Sequence, residues 1–403
     1  MTKALIVHIG DHTTGSARLQ RCLAGGHARA DEFKLFYPQV FGSELHHNRA
    51  AHALHAADPK DSETTCFKLL QPIRDGDADM AVISAEALEF ADPADVRDVL
   101  ESHMRWLGKQ ARIVAYVRPH AERFLIGYEQ QLRLGLFFGD LQAFFDMTRA
   151  DGRFLYHTRF ERWKAVFGDR LTVRPLLPDH LVGGEMLSDF LDMVFEGRDY
   201  TLSDLPPTIE RHDLAQHEIA MICALQGRLR GVMPRSAAHV LGGYASRLLT
   251  ELHDDTAPGL ALPPALAEQI VSTYAEDAQA MDRDFFADTP LSTALDALRH
   301  QPGSADWPDM ETAAQFDPET ARLVGVWADL VAEIYKDMPD KWGRHLFAPQ
   351  FSFPRPPAPQ TPEEMEAQRA QDAAGATGPD TDPDKGPETE AGLTPPATPA
   401  EDA

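Results

Sequence analysis

The chain has 403 residues, 43% of them hydrophobic, which is enough for one large or two ordinary domains with a sizeable core. Its 38 Lys plus Arg stand against 63 Asp plus Glu, a formal net charge of -25, so a phosphate-backbone groove is not expected and nucleic acid is excluded as a partner. Three scattered cysteines, Cys22, Cys66 and Cys223, are too few for a disulfide framework or a zinc site and suit a reducing cytoplasm.

The opening apolar run, Ala4 to Ile9, is a buried-strand signal and too short for a signal peptide or membrane span; no later stretch stays apolar long enough to cross a bilayer. Leu19, Cys22 and Leu23 then recur at helical spacing, and Gly25-Gly26 stops that helix. Met80 to Ser84 is a second strand. Asp92-Pro93 reads as N-cap and first helical position, with Val96, Val99, Leu100 and Leu107 on one face and Gly108 as the stop. Arg112 to Val117 is a third strand, followed by a helix through Leu134, and Leu171 to Arg174 is a fourth. Strands alternating with helices predict an α/β fold, three-layered, with a mainly parallel sheet.

After Pro206-Pro207 the strand signals stop. Ile209 to Arg230, Arg235 to Leu252, Pro264 to Met281 and Pro318 to Tyr335 read as helices. From Pro354 onward there are 11 prolines, 11 acidic residues and three basic ones, with almost nothing apolar. Such a segment cannot offset its ordering entropy, so a disordered tail is expected. The expected organisation is an α/β domain over 1–205, a mostly helical region over 206–345 and the Pro/acidic tail over 346–403.

The segment with most chemistry follows the first strand: His8-Ile9-Gly10-Asp11-His12-Thr13-Thr14-Gly15-Ser16-Ala17-Arg18-Leu19-Gln20. A glycine-bearing turn that opens a helix gathers backbone N–H groups and the helix's partial positive charge into one anion site. A nucleoside-triphosphatase loop needs G-x-x-x-x-G-K-S/T. Gly10 and Gly15 satisfy the glycines, but Ser16 and Ala17 stand where the lysine and the magnesium-binding hydroxyl belong, which argues against an ATP-dependent kinase or ATPase.

The segment resembles the 5′-phosphosulfate loop of sulfotransferases that use 3′-phosphoadenosine 5′-phosphosulfate (PAPS), H-I-G-x-x-K-T-G-S/T-S/T-S-L/I-Q in the bacterial branch. His8, Ile9, Gly10, Thr14, Gly15, Ser16, Leu19 and Gln20 match. Further segments resemble the family in the same order. Val117-Arg118-Pro119 and the helix after it are similar to the 3′-phosphate motif, with Tyr128 on its tyrosine. Tyr156 to Phe167 with LTVRPLL, and LVGGEMLSDFL from Leu181, resemble the segments that follow. The likeness spans about Lys3 to Leu191. It implies a P-loop fold and sulfonate transfer from PAPS to a hydroxyl of a glycan or small molecule. Gly10, Asp11, Thr13, Thr14, Gly15, Ser16 and Ala17 would hold the phosphosulfate, and Arg118 and Tyr128 the 3′-phosphate side. No metal is needed.

Two positions depart from the pattern. The loop lysine is Thr13, and the 3′-phosphate serine is Ile126. An active enzyme would then borrow a cation from His12, Arg18 or Arg21; the alternative is an impaired, PAPS-binding pseudoenzyme. Glu86, directly after the second strand, is the expected base, with a helix-dipole role as its alternative. His120 and Arg123 would add positive charge near the 3′-phosphate, or form a solvated first turn. His46, His47, His52 and His55 read as part of a helix near the acceptor cleft, without enough ligands for a metal. Phe137-Phe138 and Phe144-Phe145 read as core, with acceptor lining as the alternative; Trp163 and Phe167 read as core.

Overall fold

The computed structural model describes residues 1–42, 44–54, 59–205, 214–251, 259–300 and 309–339. The boundary at Pro206-Pro207, the helix start at Ile209, His55 and the whole of 346–403 lie outside the described residues.

The strands are β1 (Ala4–His8), β2 (Ala28–Arg29), β3 (Leu35–Phe36), β4 (Met80–Ser84), β5 (Arg112–Val117), β6 (Leu171–Pro175) and β7 (Thr201–Leu202). Five form a parallel sheet in the order β3-β4-β1-β5-β6, and β2 pairs antiparallel with β7. The helices of the sheet-bearing part are α1 (Ser16–Gly25), α2 (Asn48–Ala53), α3 (Pro59–Asp75), α4 (Pro93–Met104), α5 (Trp106–Gln110), α6 (His120–Arg133), α7 (Leu141–Ala150), α8 (Tyr156–Phe167) and α9 (Met186–Phe195). Those that follow are α10 (Gln216–Leu229), α11 (Arg235–Glu251), α12 (Pro264–Phe285), α13 (Pro290–Leu298), α14 (Thr312–Gln315) and α15 (Pro318–Asp337).

Period-two alternation along the central strands sorts their side chains to two faces. Leu5, Val7, Ile83, Ile113, Ala115 and Val117 enter one apolar core with residues of α4, α6, α8 and α12. Ile6, Val82, Val114 and Tyr116 enter a second core with Leu19, Cys22 and Leu23 of α1 and Phe190, Leu191 and Val194 of α9. The result is the expected three-layer α/β arrangement. Because α1 leaves β1 towards one face and α6 leaves the neighbouring β5 towards the other, the chain diverges at the carboxyl ends of these strands, where ligands bind in open α/β sheets.

Several expectations need correction. The helix from Pro93 does not run to Gly108: it ends at Met104, where Arg105 takes a left-handed φ of 49°, and Leu107 and Gly108 belong to α5. Gly108 is there for close packing, since a Cβ would collide with the Leu100 carbonyl. The strands β2, β3 and β7 are pairs of residues, which leave no periodicity to detect, and helices α3, α7, α8, α9, α13 and α14 are further elements that the sequence reading does not contain. The cap at Asp92 is as expected: its side chain accepts from the Ala94 amide at 2.8 Å.

Trp163 and Phe167 stack in the core at 5.5 Å, and Phe144 and Phe145 are fully buried, whereas Phe138 is exposed beneath the Arg230 guanidinium. The helical region is not a bystander to the sheet. α10 and α12 pack on α6, and α12 also packs on α8, so residues far along the chain brace the elements around the first loop.

Candidate functional site

The loop after β1 is built by continuing the sheet and then leaving it. The Ile9 amide donates to the Val114 carbonyl at 2.9 Å, and Gly10 and Asp11 exchange bonds with Tyr116 at 3.0 and 3.2 Å. Gly10 (φ 95°) is required twice: by its left-handed backbone, and by Glu86, whose Cα and carbonyl oxygen lie 3.2 and 3.3 Å from where a Cβ would stand. Gly15 (φ 91°) caps α1. Thr13 also sits at positive φ, 64°, a strained conformation for a β-branched residue. The Thr14 hydroxyl closes the turn by donating to the Asp11 carbonyl at 2.7 Å. Among the described residues the amides of Thr14, Gly15 and Ser16 donate to no protein acceptor, so the loop keeps its anion-binding donors unspent.

Asp11 and His12 turn inward, not towards a ligand. Both carboxylate oxygens of Asp11 accept from Arg159 Nη2 at 2.7 Å. The His12 amide and Nδ1 meet Glu89 Oε2 at 3.2 and 2.7 Å. Glu89, 5% exposed, is the hub: Arg123 at 3.3 Å, Arg159 at 3.3 Å and Arg153 at 3.8 Å converge on it. Burial pushes the Glu89 carboxyl up, but Arg123, the His12 hydrogen bond and Arg159 outweigh it and hold it well below the usual carboxylate range. Burial likewise works against the Arg159 charge, and Asp11 and Glu89 hold its pKa above the usual arginine value.

Arg123 does not form a solvated first turn: it is 1% exposed, and its second terminal nitrogen donates to the Thr13 hydroxyl. His120 is equally buried and bonds Asp277 at 3.0 Å.

Outside the loop lies a cavity of about 430 Å³ lined by Thr14, Gly15, Arg18, Arg118, Glu122 and Glu185, among others. Arg118 Nε donates to the Thr13 carbonyl at 2.5 Å, and the Tyr156 hydroxyl holds the Arg118 carbonyl at 3.0 Å, so this guanidinium is aimed at the loop mouth from the end of β5. Each cation of the cavity has an acidic companion: Arg118 pairs with Glu122, and Arg18 with Glu185.

Of the predicted site residues, the structure places Thr14, Gly15 and Arg118 on the cavity. Ser16 and Ala17 open the helix behind it. Tyr128 is 1% exposed, donates to the Gly139 carbonyl at 3.0 Å and packs between Phe137 and Phe144; it lines the core, not the cavity. Glu86 does not line the cavity either; its Oε2 is buried and has no hydrogen-bond partner among the described residues. In the histidine stretch, His47 is structural, with Nε2 2.7 Å from the Pro38 carbonyl and Nδ1 accepting from the Ser84 amide at 3.0 Å, while His52 lies exposed on α2.

No family model and no curated protein matches the sequence. Among solved structures, the chain is similar to a sulfotransferase from Alicyclobacillus acidocaldarius, at 12% identity over 75% of this chain and 98% of that one, with a TM-score of 0.36. A TM-score that low is too weak to assign an activity.

The residues that sequence reasoning missed are Glu89, Arg153, Arg159 and Glu185. Isolated charged side chains on helices and turns read as solvated surface, and only the tertiary structure brings these four to the loop and its cavity.

Proposed function

We propose that the chain is a sulfotransferase-like protein that binds PAPS at the loop after β1 and transfers its sulfonate to a hydroxyl acceptor. The observation that carries this reading is the cavity itself: it is lined by Thr14 and Gly15, whose amides are unspent at a helix N-terminus, and by Arg118 and Arg18. That donor set suits a doubly anionic group beside a second phosphate, and the cavity falls within the ~300–1,000 Å³ typical of small-ligand sites. The residues present therefore fit PAPS, with the loop amides on the phosphosulfate and Arg118 on the 3′-phosphate. When bound, PAPS supplies the sulfonate and leaves as adenosine 3′,5′-bisphosphate.

The chain's own part is to hold the anion, to keep Arg118 in place through Thr13 and Tyr156, and to receive the acceptor's proton on a carboxylate. Glu122, on the cavity wall, and Glu86, directly after β4 with a carboxylate oxygen unpartnered among the described residues, are the two candidates for that proton. The three cysteines are free thiols, which suits the proposed cytoplasmic setting. Among the described residues no helix is long and apolar enough to cross a membrane.

Calorimetric titration with adenosine 3′,5′-bisphosphate, with ATP as control, tests the reading. The bisphosphate is expected to bind and ATP not. Arg118→Ala is expected to weaken that binding by about 1.5–3 kcal/mol, roughly 10- to 150-fold, as a charged hydrogen-bond donor is lost. Equal binding of both nucleotides, or an unchanged affinity in the variant, sinks the proposal.

One observation favours impaired transfer as a second reading. The Thr13 hydroxyl has a single proton, and it is given to the His12 carbonyl at 2.6 Å, while the oxygen accepts from Arg123. Thr13 thus has nothing left to donate to a leaving-group oxygen, and Arg123 is too buried to serve directly. Thr13→Lys is expected to raise PAPS-dependent transfer by about a hundredfold, the scale of one charge-stabilising donor. Transfer that does not rise, in a variant that still binds the bisphosphate, would show that the lysine's absence is not what limits rate.

A further inference from the structure

The last described helix, α15, has two apolar faces. On one, Ala328, Ala332 and Tyr335 are buried in a core with Leu229 of α10 and Leu241 of α11. On the opposite one, Leu323, Val326, Trp327, Leu330 and Ile334, with Met338 just past the helix end, are each 37–65% exposed, Trp327 the most. A surface helix ordinarily sets one apolar stripe on its core and a polar face in water, and a helix apolar on both sides is a buried helix. Single exposed apolar residues are ordinary, but six along one stripe form a patch.

The patch is large enough to hold a partner. At ordinary residue sizes the six exposures come to roughly 600 Å² per chain, and pairing two copies would remove about 1,200 Å² from water, the size at which specific interfaces begin. It is also its own complement. Leu323, Trp327, Leu330 and Ile334 are spaced four, three and four apart, a pattern that reads the same in both directions. Two copies laid antiparallel therefore set Leu323 against Ile334 and Trp327 against Leu330, each contact made twice. Arg322 and Glu333 lie about three helical turns apart, so they share one edge of the stripe. The antiparallel arrangement brings Arg322 of each copy beside Glu333 of the other, where Glu333 already holds Lys336 at 2.6 Å. A closed two-fold pair of this kind covers both stripes and leaves nothing to propagate.

We propose that this face of α15 is a homodimer interface, closed by a second copy of the chain in antiparallel contact about a two-fold axis between Trp327 and Leu330. The inference stands apart from the function proposed above, since α15 contributes no residue to the loop cavity.

Sedimentation velocity of the full chain over a concentration series tests it. A reversible dimer with a micromolar dissociation constant is expected. Trp327→Glu is expected to weaken it at least about thirtyfold, the scale for a central aromatic anchor, with the thermal melt of the dilute monomer unchanged because the residue is exposed there. Leu330→Glu serves as the second variant should the first perturb folding. Arg322→Glu is expected to weaken the dimer as well, and adding Glu333→Arg to restore it. A chain that stays monomeric at high micromolar concentration, or a dimer insensitive to both stripe variants, overturns the proposal. So does a monomer whose melting temperature falls in Trp327→Glu, which would show the stripe to be covered from within one chain. A dimer that the charge exchange does not restore overturns the antiparallel arrangement.

Discussion

Glu89→Ala is expected to lower the unfolding free energy by about 3–5 kcal/mol, the scale for removing one partner of a buried ion pair. The reason is geometric. Arg123 and Arg159 reach Glu89 at 3.3 Å, and Arg123 is 1% exposed, so it cannot turn to water when its carboxylate goes. Asp11 retains Arg159 through two bonds, but among the described residues Arg123 keeps only the neutral Thr13 hydroxyl and the face of the Phe154 ring, neither of which carries a compensating charge. The loop is affected as well, because the His12 amide and ring lose their shared acceptor. Urea unfolding at neutral pH measures the loss. Glu89→Gln, which preserves the shape and removes the charge, is expected to fall on the same side; a cost below about 1 kcal/mol for both variants would mean that the cluster is solvated and behaves as surface pairs do.

The second large effect is acid sensitivity above the carboxylate range. His8 and His47 are both buried as neutral rings, and burial pushes each down to about 4 from 6.5. His8 lies between the rings of Tyr116 and Phe190, with Nδ1 2.8 Å from the Ser84 hydroxyl; His47 is clamped by Pro38 and Ser84. Between pH 6.5 and 4 the unfolded chain binds protons that the folded chain does not. Stability is therefore complete above the higher value, falls with pH across this window and levels off below the lower one. At ~1.4 kcal/mol for each pH unit that separates the folded ring from the unfolded one, each residue contributes on the order of 3 kcal/mol. Glu89, held below the usual range, gives up its own contribution only at still lower pH. Unfolding curves at half-unit steps check this. His47→Gln, which keeps an acceptor for the Ser84 amide, is expected to remove about half of the slope; a slope unchanged by that variant would assign the acid sensitivity elsewhere.

Both effects concern the foundation of the loop, and they show why its residues divide as they do. Thr14 and Gly15 keep their backbone amides unspent, while Asp11 and His12 are held below by Arg159 and Glu89. A β-branched residue at φ 64° is tolerated at position 13 because both faces of its hydroxyl and its carbonyl are bound, to His12, Arg123 and Arg118. The positive charge expected to flank a nucleotide is largely committed to carboxylates, through Arg118 with Glu122 and Arg18 with Glu185. An incoming anion must compete with those pairs. This differs from the free cations that the sequence pattern implies around a 3′-phosphate.

The central strands were legible in the sequence because each is short, apolar and buried on both sides, and the helices because their apolar stripes recur near every 3.6 residues. The glycine loop was legible because its conformational demands are local: left-handed turns at Gly10 and Gly15 and a helix start at Ser16 depend on few distant residues. What the sequence could not place were the charged residues that act far from their own position. Glu89 and Arg159 are 70 residues apart in number yet meet at 3.3 Å, and nothing in the composition of either segment marks it as buried. Tyr128 shows the converse: its position in a motif suggested a ligand contact, and packing against Phe137 and Phe144 turned it into the core. Local periodicity and turn chemistry thus determined the strands, the main helices and the anion-ready loop, while only the tertiary structure decided which guanidiniums face the cavity and which are consumed beneath it. Charge pairing acts through space and carries no period along the chain.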